Sequence, residues 1–151
     1  IYEGTNGIQA LDLLGRKVVA NGGEALRVFA GEIRAFAHGH ASSLSERLIE
    51  ALERLETVSD WLLEQAASDP DAVGAASVEY LHLFGYVAYA YMWARMATVA
   101  HARQAEDPTF YGGKLATADF FFTRLLPRTL GLEASIRAGS LPLYGLTAEQ
   151  F

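Results

Sequence analysis

The sequence predicts an all-α protein: an up-down antiparallel four-helix bundle with an extra short helix in front of it. Three observations predict it. Apolar residues recur at steps of three and four through five successive stretches, the spacing that lines one face of a helix. Alternation of period two is absent and the β-branched residues are scattered, so no strand is signalled. Between Glu79 and Arg95 lie fifteen residues without a formal charge, apolar on every face a helix presents. Such a segment needs cover on all sides. It is shorter than the roughly 18 to 20 apolar residues that cross a bilayer, and it is rich in Tyr, His and Gly, so it reads as a central buried helix rather than a membrane span.

The elements follow in order. Thr5 and Asn6 are capping types, and Ile8, Leu11, Leu14 and Val18 then keep helical spacing until Asn21-Gly22-Gly23 stops the first helix. The second starts at Glu24 and carries Leu26, Phe29, Ile33, Phe36 and His40 on one face. Ser43-Leu-Ser-Glu46 reads as a capping box opening the third helix, whose buried stripe is Leu44, Leu48, Leu52, Leu55, Val58 and Leu62, with Glu50 and Arg54 as an exposed pair. Asp69-Pro70 supplies a cap and first position for the central helix, which runs to Gln104. The fifth helix spans about 110–138 along Leu115, Ala118, Phe122, Leu125, Thr129, Leu132 and Ile136, with a kink expected at Pro127. Residues 140–151, with Pro142 and Gly145, read as an extended tail.

At 151 residues the chain can bury a sizeable core. Its net charge of -6 and lack of any Lys/Arg cluster exclude a nucleic-acid partner and a basic membrane-surface helix. There is no cysteine, hence no disulfide, thiolate metal site or cysteine nucleophile, which suits a reducing, cytoplasmic setting. The chain opens Ile-Tyr-Glu-Gly-Thr with neither an initiator methionine nor a secretory leader, and reads as the tail of a longer polypeptide.

Tyr2-Glu3-Gly4-Thr5 is the leading candidate for chemistry. A carboxylate immediately before a glycine and a helix start sits where backbone approaches a ligand closely, and the free amides of the following helix face an anion. A solvated carboxylate is the plain alternative.

The stretch from Ile1 to Gln9, Ile-Tyr-Glu-Gly-Thr-Asn-Gly-Ile-Gln, closely resembles the catalytic segment of the acyl-CoA dehydrogenases. That resemblance implies that Glu3 is the base that removes the α-proton of an acyl-CoA thioester while the β-hydrogen leaves as hydride to FAD, giving a trans-2-enoyl-CoA. It further implies that Gly4 lies against the substrate and that Thr5, Asn6 and Gly7 contact FAD. Many members of the family have Gln or Glu where this chain has Gly7, so a side-chain contact to FAD is lost there. The runs Tyr80-Leu-His-Leu-Phe-Gly85, Phe110-Tyr-Gly-Gly-Lys-Leu-Ala-Thr-Ala118 and Leu125-Leu-Pro-Arg128 are similar to the additional C-terminal helical domain of the branch that includes 3-methylmercaptopropionyl-CoA dehydrogenases. Residues 1–20 then close the catalytic domain and 21–151 form the added bundle. The implied partners are an acyl-CoA substrate, an electron-transfer acceptor and further copies of the chain in a homo-oligomer. The chain by itself is expected to be inert, because the flavin and CoA sites need upstream regions. The competing reading is a non-catalytic bundle that mediates domain packing or homo-oligomerisation.

Weaker constellations remain. Glu79-x-x-His82 is half of a di-iron ligand set, without a second Glu-x-x-His to complete it, so no metal site is expected. His38 and His40 point apart if they share a helix. Tyr111-Gly-Gly-Lys114 is akin to a phosphate-binding turn but lacks the full loop spacing and a preceding strand. The aromatics at helical spacing read as core, with Phe121, off the main seam, expected to meet another subunit or domain.

Overall fold

The structure is a computed structural model that describes residues 4–150. Its elements are α1 (Asn6–Leu11), continued by a π-helical stretch (Asp12–Val19), then α2 (Glu24–Gly39), α3 (Ser43–Gln65), α4 (Ala72–Arg103), α5 (Pro108–Phe120), a π-helical turn (Phe121–Leu125) and α6 (Arg128–Arg137). All of these are helical, and α2, α3, α4 and the joined α5–α6 make the expected bundle. Arg34 of α2 meets Glu56 of α3 at 2.5 Å, and Ser59 of α3 meets Tyr80 of α4 at 2.7 Å. Arg128 of α6 reaches Tyr86 of α4 at 3.3 Å. Neighbours in sequence are therefore antiparallel, while α2 and α4 run parallel through Phe29–Phe84 and Phe36–Tyr91.

Local signals place the ends. Gly22 and Gly23 take positive φ of 61° and 78°, conformations that favour glycine, and close the first helix before Glu24 opens α2. The N-cap of α3 is Ser42, not Ser43: its hydroxyl accepts from the Ser45 amide at 3.2 Å, while the Ser45 hydroxyl donates to the His40 carbonyl at 2.6 Å. That second bond fixes the register between two adjacent serines either of which is a competent cap. Asp69-Pro70 lies in the preceding turn, and α4 begins at Ala72 with Asp71 as its cap. Asp107 caps α5 through the Phe110 amide at 2.9 Å, so Pro108 stands at the first helical position rather than in a linker.

Leu48, Leu52, Leu55, Val58 and Leu62 of α3 form the centre of the core with Tyr80, Leu83 and Val87 of α4 and Phe122 and Ile136 of α5–α6. Several expectations need correction. In the first helix Ala10, Leu14 and Val18 are buried while Ile8 and Leu11 point outward, so the inner face runs at i, i+4, i+8. Arg54 leaves Glu50 and pairs with Glu133 of α6 at 3.1 Å. Phe121 is buried against Tyr86 and Tyr89 of its own bundle, because the widened π turn brings two successive phenylalanines inward. Phe120 is the one left exposed. The tail folds into 3-10 turns at Leu141–Tyr144 and Ala148–Gln150 and is tied down by Ser140, whose hydroxyl donates to Asp69 at 2.5 Å.

The central helix is not covered on every side. Val78, Tyr89, Met92, Met96 and Val99 share one exposed face of α4 at helical spacing. Its other faces carry the core.

Candidate functional site

Glu3, the residue on which the chemistry turns, lies outside the described residues. The positions that follow it are described. Gly4 and Thr5 form an exposed turn, and Asn6 and Gly7 open α1, also exposed. Thr5 is the helix cap by position, but its side chain makes no capping bond; its carbonyl accepts from the Gln9 amide at 2.9 Å. The amides at the head of a helix have no partner within it. Thr5 therefore brings a hydroxyl that makes no bond to any described residue, and the first turn a set of donors, to one edge of the molecule.

Glycines keep that edge open. Among the described residues, a β-carbon built at Gly4 or Gly7 would meet nothing within 4 Å. The arrangement suits close backbone approach by a flat, anionic or carbonyl-bearing group.

What lies behind the edge is packed on the bundle. Ala10, Leu14 and Val18 anchor the helix on the bundle, and a β-carbon at Gly15 would make an ordinary contact with Val73 of α4 at 3.9 Å. Asp12 holds Arg16 at 2.8 Å and Lys17 at 3.6 Å on the outer side of the π-helical stretch. That stretch departs from the regular helix that the spacing predicts.

The weaker candidates take structural places. His40 donates its Nδ1–H to the Phe36 carbonyl at 3.1 Å and stacks on the Phe36 ring, closing the end of α2. Glu79 and His82 sit on the outer part of α4, and among the described residues no three His, Asp or Glu side chains converge as a metal cluster. Tyr111-Gly-Gly-Lys114 is inside α5 rather than in a phosphate-binding turn. Lys114 there stands over the Phe110 ring at 5.3 Å, beside a groove between α4 and α5 that sequence reasoning missed. Its signal was present in the pair Met92 and Met96, the two methionines of the chain, set one turn apart.

Residues 29–147 match the family described as acetyl-CoA dehydrogenase C-terminal like. The chain belongs to that family. It is the C-terminal helical domain of the acyl-CoA dehydrogenase family that the sequence motifs suggest. Among curated relatives it is 40% identical over 134 residues to a 3-methylmercaptopropionyl-CoA dehydrogenase of Ruegeria pomeroyi, covering 83% of this chain and 23% of that protein. It is 30% identical over 143 residues to the broad-specificity linear acyl-CoA dehydrogenase FadE5 of Mycobacterium tuberculosis, covering 84% and 23%. A butyryl-CoA dehydrogenase of Syntrophomonas wolfei is 26% identical over 165 residues, covering 100% and 26%. The chain thus spans about a quarter of the length of the relatives it matches. No helix among the described residues is long and apolar enough to cross a membrane.

Proposed function

We propose that this chain is the C-terminal part of an FAD-dependent acyl-CoA dehydrogenase that converts an acyl-CoA thioester to the trans-2-enoyl-CoA, with Glu3 as the base. The observation that carries the reading is Tyr2-Glu3-Gly4-Thr5 in the sequence directly before a helix whose leading residues are exposed, ahead of a bundle of the matching family.

The chemistry asks for such a residue. A proton α to a thioester is weakly acidic, and a carboxylate removes it best when bound substrate expels water and raises the proton affinity of the base. The backbone amide of Glu3 would donate to the thioester oxygen as negative charge develops there. Gly4, without a side chain, lets the thioester lie against the backbone. Thr5, Asn6 and Gly7 would hold FAD through the Thr5 hydroxyl, which makes no capping bond, and the amides of the first turn. Bound FAD supplies the acceptor for the β-hydrogen. At Gly7 only backbone is available for that contact.

In this reading residues 1–20 complete the catalytic domain and 21–151 form the added bundle, working in the cytoplasm as a homo-oligomer that takes acyl-CoA and passes electrons to an electron-transfer acceptor. The chain alone, without the upstream flavin and CoA regions, would be inactive. The exposed apolar face of α4 favours a second, packing role for the bundle in the same protein. Expression of the chain together with its upstream coding region, followed by anaerobic addition of an acyl-CoA series, tests the proposal. A yellow protein bleached by at least one acyl-CoA supports it; a protein that carries no flavin contradicts it.

A further inference from the structure

The helix that leads out of the candidate site does not stand apart from the bundle. Leu14 and Val18 lie in one hydrophobic core with Leu55, Leu62, Tyr80 and Leu83. Ahead of them α1 packs directly on α4, and Ala10, fully buried, is the one residue that α1 buries. An alanine at that contact sets the spacing. The first two turns of α4 bury only Ala72, Ala76 and Ser77, so no long side chain is available there to absorb a shift of the helix. In a close-packed contact of this kind, added methylenes move backbone.

Three buried residues at steps of four ask for more than a regular helix. The eight positions from Ala10 to Val18 overshoot two turns by about 80° at 3.6 residues per turn. The π-helical stretch takes up that overshoot: the Ala20 amide donates to the Gly15 carbonyl at 2.9 Å and the Gly23 amide to the Val18 carbonyl at 2.8 Å, each five residues back. All three side chains thereby reach the same inner face. The leading edge moves with this helix. The Thr5 carbonyl accepts the first helical bond, from the Gln9 amide at 2.9 Å, so only Gly4 separates the helix from Glu3.

We propose that Ala10, Leu14 and Val18 are positioning residues for the desaturation: by seating the first helix on α4 they set where the Glu3 carboxylate meets the α-carbon of the thioester. The bundle is then a working part of the catalytic site. This inference rests on the reading of Glu3 as the base. Displacing a reacting group by about 1 Å costs about a hundredfold in rate, and Ala10→Leu forces a larger side chain into a contact without room for it.

The test uses the flavin-containing protein that includes this chain and its upstream region. Ala10→Leu should keep FAD content and the acyl-CoA dissociation constant within about twofold of the parent, while slowing anaerobic bleaching of the flavin by about tenfold or more. Ala51→Leu is the matched control. Ala51 is as deeply buried, but on α3 beside Leu126 and Thr129 of the α5–α6 arm, so the same overpacking should lower the melting temperature and leave bleaching at the parental rate. If Ala10→Leu does not fold, Ala10→Val, the smaller wedge, should slow bleaching by about threefold or more. Bleaching of a folded Ala10 variant at the parental rate, a loss of FAD or acyl-CoA binding that accounts for the slower rate, or equal slowing in Ala51→Leu would each overturn the proposal. The desaturase reading fails by a different result, a parent without flavin or a Glu3→Gln protein that bleaches as the parent does, and takes this inference with it.

Discussion

The Arg47 guanidinium on α3 donates to the backbone carbonyl of Phe122 and lies over that residue's own ring at 5.9 Å from its centre. The bond answers a need created by Pro127. In the π turn the Leu126 amide bonds to Phe121 at 2.9 Å instead of to Phe122, and the next residue that could serve Phe122 is a proline without an N–H. One side chain from α3 thus makes the widened turn compatible with a buried phenylalanine pair. Replacing Arg47 with Met should cost about 1 to 3 kcal/mol, the penalty of an unsatisfied carbonyl, read as a lower urea midpoint at unchanged slope.

A second buried polar pair makes an asymmetric prediction. Ser59 donates to the Leu55 carbonyl at 2.7 Å, so the Tyr80 hydroxyl, 2.7 Å away, donates to Ser59. Ser59→Ala strands a buried donor and should cost about 1 to 3 kcal/mol; Tyr80→Phe removes that donor and should cost about 1 kcal/mol or less. In the double variant the two costs should sum to more than the measured loss, a coupling that urea unfolding of all four proteins would reveal.

Burial pushes the Tyr80 hydroxyl up to about 12 from an ordinary value of 10.0. Because the folded chain holds this proton more tightly than the unfolded one, the associated stability is fully present below pH 10 and is lost as pH rises from 10 towards 12. The loss should reach at most about 1.4 kcal/mol per pH unit. Unfolding titrations at pH 9, 10 and 11 should show a steeper decline in the parent than in Tyr80→Phe.

Two glycines should respond with opposite signs. Gly23 has φ of +78°, and a β-carbon there would sit 3.2 Å from the Arg27 guanidinium and 3.4 Å from Leu63. Gly23→Ala should destabilise by about 1 kcal/mol or more. Gly31, mid-way along α2, has nothing within 4 Å of such a carbon, and Gly31→Ala should stabilise by up to about 1 kcal/mol. Thermal melts of the two variants decide both.

What the sequence makes legible follows from how much of each pattern is local. The stripe of α3 is readable because Leu48, Leu52, Leu55, Val58 and Leu62 are large, regularly spaced and all buried. In the first helix the inner position belongs to Ala10, a small residue easily passed over beside Ile8 and Leu11, which face out. Pro127 signals an irregularity but not that the chain widens ahead of it, and the donor that serves the Phe122 carbonyl in the π turn, Arg47, is remote in sequence. The central helix misleads for a general reason: an apolar surface needs a cover, and sequence does not say whether the cover belongs to the same chain. As for the candidate site, its exposed leading edge is visible in the fold, whereas the motif from Tyr2 to Thr5 is visible only in the sequence.

The measurement that bears most directly on the function is made on the flavin-containing protein that includes this chain and its upstream region. In it, Glu3→Gln should bind FAD and acyl-CoA as the parent does, yet leave the flavin oxidised when acyl-CoA is added without oxygen. Bleaching of that variant at the parental rate would contradict the assignment of Glu3 as the base.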